Sequence, residues 1–249
     1  MINTKYILVL FLSFLVISCS EKEKHSFPTE KRFWDIKDYE AASLELNYGY
    51  EVDEKLPSFD DPETSIIVKK LVDHENYKIV LNDNELGIKH RNGIAEKFFV
   101  RWKEMTNIYQ AMDLQDNYLY GKEQLAVYEF GLGLQLRYFK LGNDVILENS
   151  DDPNSVNYHV NSNIQNLIGN FINYLDNINE EKAYSDEGKI MISNAIDTYF
   201  TDLVKLYPNA DYRAMIRKID LMKAKSESQD IKNSLTKLKQ LIDSKNTQE

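Results

Sequence analysis

The sequence predicts an all-α protein, a single domain of about seven helices. Apolar side chains recur with the 3.6-residue period of an amphipathic helix over most of the chain. The composition is that of a globular protein, with 43% hydrophobic and 28% charged residues and only 5 prolines, which excludes disorder of the whole chain. The single cysteine rules out an intrachain disulfide, so the hydrophobic core must stabilise the fold.

The first third of the chain contains one amphipathic segment and one capped helix start. An apolar face at helical spacing marks residues 36–46. Asp61 suits the N-cap position and Pro62 the first helical position, so a helix is expected to begin there. Residues 77–90 leave two alternatives open, a small β-hairpin or a helical turn leading into the next helix. The helical alternative is favoured.

The clearest helical signal lies in the middle of the chain. Six apolar residues recur at spacings of 4, 4, 3, 4 and 3: Ile94, Phe98, Trp102, Met105, Tyr109 and Met112. They form one stripe, which is typical of a helix facing a core. The next segment, 123–141, is apolar nearly all round and indicates a central buried helix. Gly142-Asn143 is expected to end that helix as a left-handed cap.

The last third of the chain predicts four more helices. Asp152-Pro153 marks the start of the first, Pro208 stops the second after residues 192–206, and Asp211 caps the third. The fourth has four apolar residues in one narrow seam: Ile231, Leu235, Leu238 and Ile242. We expect this seam to dock on the domain's own core rather than on another chain.

The N-terminus has the three zones of an export signal. Residues 1–5 are short and positively charged, residues 6–17 are almost wholly apolar, and Ser18-Cys19 follows at once. As a helix the apolar run would rise only about 18 Å, well short of the ~30 Å hydrocarbon core of a bilayer. The segment is therefore typical of a signal peptide rather than of a membrane span.

The tetrad Val16-Ile17-Ser18-Cys19 resembles the lipobox of bacterial lipoproteins, the alternative being a plain secretory signal with a chance cysteine. The resemblance implies that residues 1–18 form a signal peptide that is removed. It also implies that Cys19 is the site of lipid attachment, carrying a diacylglycerol and usually an N-acyl chain such as palmitate. Two or three acyl chains anchor a protein to a membrane essentially permanently.

The resemblance further implies a place in the bacterial cell envelope. Ser20, rather than an aspartate, follows the lipidated cysteine, which favours the outer membrane. Residues 19–32 are charged and lack an apolar period, so we expect a lipidated tether there, followed by the helical domain at 33–249.

Charge and motif content exclude several classes of function. The chain has 30 basic and 40 acidic residues, a net charge of −10, which argues against a nucleic-acid partner because no excess of cations can neutralise phosphates. The four histidines are scattered: His25, His74, His90 and His159. Neither a metal-ligand spacing nor a nucleophile motif is found, and capping explains the carboxylates at 151–152. We therefore expect no metal, no cofactor and no enzymatic activity.

Two charged residues stand out on the most apolar helix. Glu129 and Arg137 lie eight residues apart on one face, with Gly133 between them. Either they pair with neighbouring helices as buried structural ions, or they line a cleft. The structural alternative is favoured.

The leading hypothesis is a non-enzymatic, membrane-anchored helical module that binds another protein in the cell envelope. Two alternatives come from different classes. One is an immunity lipoprotein whose acidic surface neutralises a basic toxin. The other is a surface glycan-binding component, because the 16 tyrosines and 2 tryptophans could supply stacking surfaces for sugars.

Overall fold

The computed structural model describes residues 26–149 and 152–246, and within these ranges all regular structure is helical. The predicted all-α class is confirmed. The α-helices are α1 (Ile36–Glu51), α2 (Ser65–Leu71), α3 (Glu75–Leu81), α4 (Ile88–Asp116), α5 (Gly121–Asn149), α6 (Pro153–Tyr174), α7 (Asp186–Ala195), α8 (Thr201–Leu206), α9 (Arg213–Lys225) and α10 (Gln229–Asn246). A 3-10 turn (Leu175–Glu180) follows α6, and a π turn (Ile196–Phe200) joins α7 to α8.

Residues 77–90 form the end of one helix and the start of the next. Helix α3 closes at Leu81, and α4 begins at Ile88 after a short turn. The favoured helical alternative is therefore confirmed, and the hairpin does not form.

The expected cap at Gly142-Asn143 is wrong, because α5 continues to Asn149. Among the described glycines none has a positive φ, so Gly142 does not adopt the left-handed conformation of a cap. The Asn143 side chain is buried and its Oδ1 accepts a hydrogen bond of 3.2 Å from Asn163 Nδ2 on α6. This packing against α6 favours continuation of the helix.

The other predicted helix starts differ in their outcome. Asp152 is the N-cap of α6, with its Oδ1 accepting from the Asn154 backbone N–H at 3.0 Å, as expected. The Asp61 carboxylate accepts from the Glu63 backbone N–H at 3.0 Å. That contact stabilises a turn, and α2 begins only at Ser65 with Thr64 as its N-cap, so the expected start at Pro62 is wrong.

Two hydrophobic clusters form the core, and α5 contributes buried side chains to both. Towards α1–α4 these are Val127, Phe130, Leu134 and Leu141. Towards α6–α10 they are Leu125, Leu132 and Leu136. The predicted central buried helix is therefore confirmed.

Helix α10 closes the second cluster with its apolar seam. All four seam residues are buried there: Ile231, Leu235, Leu238 and Ile242. A hydrogen bond of 2.8 Å between the buried hydroxyls of Ser234 and Ser193 also joins α10 to α7. The expectation that the seam docks on the domain's own core is confirmed.

The described chain before α1 packs against the domain. The Trp34 side chain is fully buried, and its Nε1–H donates to the Pro28 carbonyl at 2.9 Å. The Lys70 ammonium donates to the carbonyl oxygens of Lys31 and Arg32. Residues 26–32, which the sequence assigns to the tether, are therefore held on the folded surface.

The signal peptide predicted at 1–18, Cys19 and His25 lie outside the described residues. Among the helices of the described ranges, none combines the length and the apolar character that a membrane crossing requires.

Candidate functional site

A cleft of about 540 Å³ lies between α4, α5, α6 and the 3-10 turn. Two kinds of side chain dominate its walls. The aromatic ones are Phe99, Trp102, Tyr118, Tyr128, Tyr174 and Tyr184. The amides include Gln110, Gln124, Gln135, Asn170, Asn173 and Asn177.

Helical periodicity places these residues on facing walls. On α4 the wall residues Phe99, Trp102, Thr106 and Gln110 follow one another at spacings of three or four. On α5 they include Gln124, Tyr128, Leu132 and Gln135, again at such spacings. Residues three and four apart share one face of a helix, so each helix presents one continuous wall to the cleft.

Trp102 is half-buried on the cleft wall, although its stripe predicts a core position. Its indole N–H donates to the Val127 carbonyl on α5 at 2.7 Å. This approach depends on Gly131, where an added Cβ would lie 2.0 Å from Trp102 Cε2. Gly131 therefore allows α4 and α5 to pack closely, and it shapes the cleft by admitting the indole.

A hydrogen-bond network fixes several of the amides. Asn170 Nδ2 donates to Gln135 Oε1 at 2.8 Å, linking α6 to α5. The Tyr184 hydroxyl donates to Gln124 Oε1 at 3.2 Å, and Gln124 Nε2 donates to the Tyr128 hydroxyl at 3.2 Å. Side chains held in this way offer their remaining donors and acceptors at defined positions.

Two further amides at the cleft are free to bind a ligand. The side chains of Gln110 on α4 and Asn173 on α6 are exposed and have no hydrogen-bond partner within residues 26–149 and 152–246. Each amide provides an acceptor oxygen and two N–H donors.

Most of the charged groups at the cleft already interact with other side chains. Asp176 forms an ion pair with Lys218 on α9. The Lys103 ammonium lies 5.1 Å from the centroid of the Phe99 ring, within the range of a cation–π interaction. Asp113 Oδ1 accepts from the Tyr120 backbone N–H at 3.0 Å. The cleft therefore presents a mainly neutral polar lining.

A second polar cluster lies on the opposite side of α5 and contains the two residues that the sequence singles out, Glu129 and Arg137. His74, the N-cap residue of α3, is at its centre. His74 Nδ1 lies 2.6 Å from the Tyr77 hydroxyl, and His74 Nε2 lies 3.1 Å from the Tyr199 hydroxyl. The Tyr199 hydroxyl also forms a side-chain hydrogen bond with Glu129.

With Glu129 ionised, these contacts define one direction of donation. A carboxylate only accepts, so the Tyr199 O–H donates to Glu129 and its oxygen accepts from His74 Nε2–H. His74 Nδ1 then accepts from the Tyr77 O–H. Each hydrogen-bonding group in the chain from Tyr77 to Glu129 is satisfied when His74 is neutral.

The electrostatics of the cluster agree with a neutral His74. Burial, followed by the positive charges of Lys78 and Arg137, lowers the pKa of His74 from 6.5 to about 4. Burial raises the pKa of Glu129 above its ordinary value, and the hydrogen bond from Tyr199 opposes this. Charged forms are disfavoured wherever a group is removed from water.

The expectation that Glu129 and Arg137 form ion pairs with groups on neighbouring helices is wrong for the residues that the structure describes. Neither side chain forms a salt bridge within these ranges. Glu129 interacts with the phenol of Tyr199, and the Arg137 guanidinium lies 5.7 Å from the centroid of the Tyr77 ring. Gly133 provides the space for this arrangement, since an added Cβ would lie 2.6 Å from the Tyr77 hydroxyl oxygen.

Sequence reasoning missed the contributions of His74 and Tyr199 to this cluster. The two residues are 125 positions apart, and Tyr199 belongs to the π turn. The other described histidines, His90 and His159, are exposed. Asp152 acts as the N-cap of α6, while Asp151 lies outside the described residues. Among the described residues no group of three His, Cys, Asp or Glu side chains is placed to hold a metal ion.

Comparison of the chain with protein-family models, with curated proteins and with solved structures gives no match. The candidate function therefore depends on the geometry and chemistry of the two sites alone.

Proposed function

We propose that the chain is a lipid-anchored, non-enzymatic binding protein of the bacterial cell envelope, and that its ligand is a neutral saccharide held in the cleft between α4, α5 and α6. One observation carries the choice of ligand. The cleft combines aromatic rings with amide groups that are either fixed by hydrogen bonds or free of partners.

The aromatic rings match the apolar faces of sugar rings. Phe99 and Trp102 lie side by side on the α4 wall, with 5.4 Å between ring centroids. Tyr128 and Tyr174 lie on the opposite walls, 6.3 Å apart. Such rings bury the C–H surface of a ligand, and the hydroxyls of the tyrosines supply polar contacts at the edge.

The amides match the hydroxyl groups of a saccharide. A sugar hydroxyl both donates and accepts, and an amide side chain does the same through its N–H groups and its oxygen. Gln110 and Asn173 are available for this on α4 and α6. A cleft of about 540 Å³ is of the size that binds small organic ligands.

The charges favour a neutral saccharide over a charged one. Asp176 pairs with Lys218, and Lys103 lies over Phe99, so neither has to find a counterion in a ligand. A saccharide ligand agrees with the surface glycan-binding component, one of the two alternatives predicted from the sequence. Binding of another protein, including neutralisation of a basic toxin, stays a prediction without a specific structural observation in its favour.

The location follows from the lipobox resemblance at Cys19. An anchored protein with an open cleft is suited to retaining a saccharide at the membrane surface. The membrane is therefore the expected partner through the lipid, while the cleft selects the soluble ligand.

Titration calorimetry of the purified full chain against a panel of neutral oligosaccharides tests the proposal. We expect saturable binding by the wild type, weakened about fivefold or more in each of Gln110→Ala and Asn173→Ala, because each loses a hydrogen bond to the ligand. Asn107→Ala on α4 and Asn157→Ala on α6 are matched controls, since both residues are exposed and lie outside the cleft.

Both controls should bind as the wild type does. Failure of the wild type to bind any neutral saccharide of the panel, or equal weakening by the cleft and control substitutions, would contradict the proposal. Far-UV circular dichroism checks that each variant keeps its helical structure.

A further inference from the structure

A second cavity, of about 530 Å³, opens on the side of α5 that carries Arg137. Arg137 is nine residues from Tyr128, or about two and a half helical turns, so this cavity lies on the face of α5 opposite the cleft. Its walls include Lys69, Lys78, Thr198 and Tyr199, with His74 beside Arg137.

The Arg137 guanidinium has unused hydrogen-bonding capacity. Its Nε is buried and has no hydrogen-bond partner among the residues described, and the Tyr77 ring below it offers only a cation–π contact. A guanidinium carries five N–H donors, and a buried donor without an acceptor is costly. An oxyanion with two parallel oxygens is the group that this planar fork fits best.

The carboxylates of the cavity do not fill this role. Asp73 Oδ1 accepts from the Glu75 backbone N–H at 2.9 Å at the start of α3. The Glu75 carboxylate lies 3.5 Å from Lys78 Nζ. Asp202 is exposed and forms no salt bridge with Arg137 in the described part of the chain.

The π turn and α5 both border the cavity. Thr198 and Tyr199 reach it from the π turn, an irregularity that often occurs at functional sites. Gly133 removes the side chain that would otherwise collide with Tyr77 and His74. The cavity therefore borders a guanidinium whose Nε has no hydrogen-bond partner among the described residues.

We propose that this cavity binds the oxyanion of a small ligand, a carboxylate or a phosphate group, through the guanidinium of Arg137, with hydroxyl donation from Thr198. The site is independent of the saccharide cleft, because the two share no lining residue.

His74 reports occupancy of the cavity. Burial lowers the pKa of His74, and the charges of Lys78 and Arg137 lower it further while Asp73 opposes them. Tyr77, Tyr199 and, through Tyr199, Glu129 complete its surroundings. An anion bound to Arg137 adds negative charge near the imidazole, so the pKa of His74 must rise when the site fills.

The test is a titration of the full chain with inorganic phosphate and, separately, with acetate, at constant ionic strength set with chloride. The imidazole resonances of His74, identified by their absence in His74→Gln, are followed by NMR at several pH values. We expect a saturable change and a higher pKa of His74 with the preferred anion. Preference for phosphate indicates a phosphorylated ligand, and preference for acetate a carboxylate ligand.

Arg137→Gln should weaken anion binding about tenfold or more, because a charge-assisted hydrogen bond is lost. Arg137→Lys keeps the positive charge but not the planar guanidinium, so its anion affinity should lie between those of the wild type and Arg137→Gln. Lys140→Gln is the matched control, since Lys140 is exposed on the same helix, pairs with Asp144 and lies outside the cavity. It removes the same charge and should bind as the wild type does.

Absence of a saturable change with both anions in the wild type would overturn the proposal, even if Arg137→Gln fails to fold. Equal weakening by Arg137→Gln and Lys140→Gln would also overturn it, because general screening of charge would then explain the effect. Saccharide binding in the cleft is measured separately and is not affected by either outcome.

Discussion

The Tyr199 hydroxyl lies 3.1 Å from Nε2 of His74, although 125 residues separate the two in the chain. The contact joins the π turn after α7 to the N-cap residue of α3. It is a polar link between the elements that build the first hydrophobic cluster and those that build the second. The protonation state of His74 therefore affects the stability of the whole domain.

We expect the free energy of unfolding to fall as the pH drops from 6.5 to 4, in part because of His74. The folded pKa is about 4, whereas the unfolded chain has the ordinary value of 6.5. The unfolded state thus binds the proton first, so the contribution of His74 to stability is complete above pH 6.5 and is lost on acidification, by up to about 3 kcal/mol. Urea unfolding at a series of pH values measures it.

His74→Gln keeps a donor and an acceptor but does not titrate in this range, so its stability should depend less on pH than that of the wild type. His159→Gln is the control, because His159 is exposed. Identical pH profiles for the wild type and His74→Gln would show that His74 is not buried in the neutral form.

Alanine substitutions of the glycines in α5 should have opposite signs. Gly131→Ala places a Cβ 2.0 Å from the Trp102 ring, so the indole must move and we expect a loss of about 1–3 kcal/mol. Gly142→Ala meets nothing closer than 3.8 Å and should gain about 0.5–1 kcal/mol from helix propensity. Thermal unfolding of the two variants checks the order, and a destabilised Gly142→Ala together with a neutral Gly131→Ala would contradict it.

Leu235→Ala should destabilise the domain by about 2–5 kcal/mol, because Leu235 is fully buried in the seam of α10. Leu221→Ala on α9 is the matched control. Its side chain is 49% exposed, so the change should be within about 0.5 kcal/mol of the wild type. Denaturant unfolding of both variants tests whether α10 is part of the core. Equal losses of unfolding free energy in the two variants would show that the seam is not buried in the core.

Cys19→Ala should abolish acylation in the producing bacterium, because Cys19 is the only cysteine in the chain. In the proposed lipoprotein, lipid chains on Cys19 supply the anchor, at about 0.8 kcal/mol for each buried CH₂. The unlipidated variant should therefore move from the membrane fraction to the soluble fraction. Incorporation of labelled fatty acid at the wild-type level would remove the basis for the lipoprotein assignment.

The sequence predicts the helices well because the hydrophobic period is a local property of the chain. The prediction fails at helix ends whose position depends on tertiary contacts. At Asn143 the buried side chain interacts with α6, and α5 continues past the predicted end. The periodic stripe likewise cannot show that Trp102 borders a cleft, since that depends on Gly131 of another helix.

The candidate sites are harder to derive from the sequence. Glu129 and Arg137 attract attention because charge is unusual on so apolar a helix, but their neighbours come from α3 and the π turn. The register of a π turn is not visible in a hydrophobic pattern. The pairing of His74 with Tyr199 could therefore be found only in the folded chain.

Because α5 contributes to both hydrophobic clusters and the chain is synthesised from its N-terminus, the two clusters can be completed only one after the other. The cluster around Phe130 has its members in place once α5 is complete. The row on the other side, formed by Leu125, Leu132 and Leu136, stays uncovered until α6 and the later helices arrive. We expect the incomplete protein to expose this apolar strip during that interval, and exposed apolar surface of this kind is bound by chaperones and promotes misassembly.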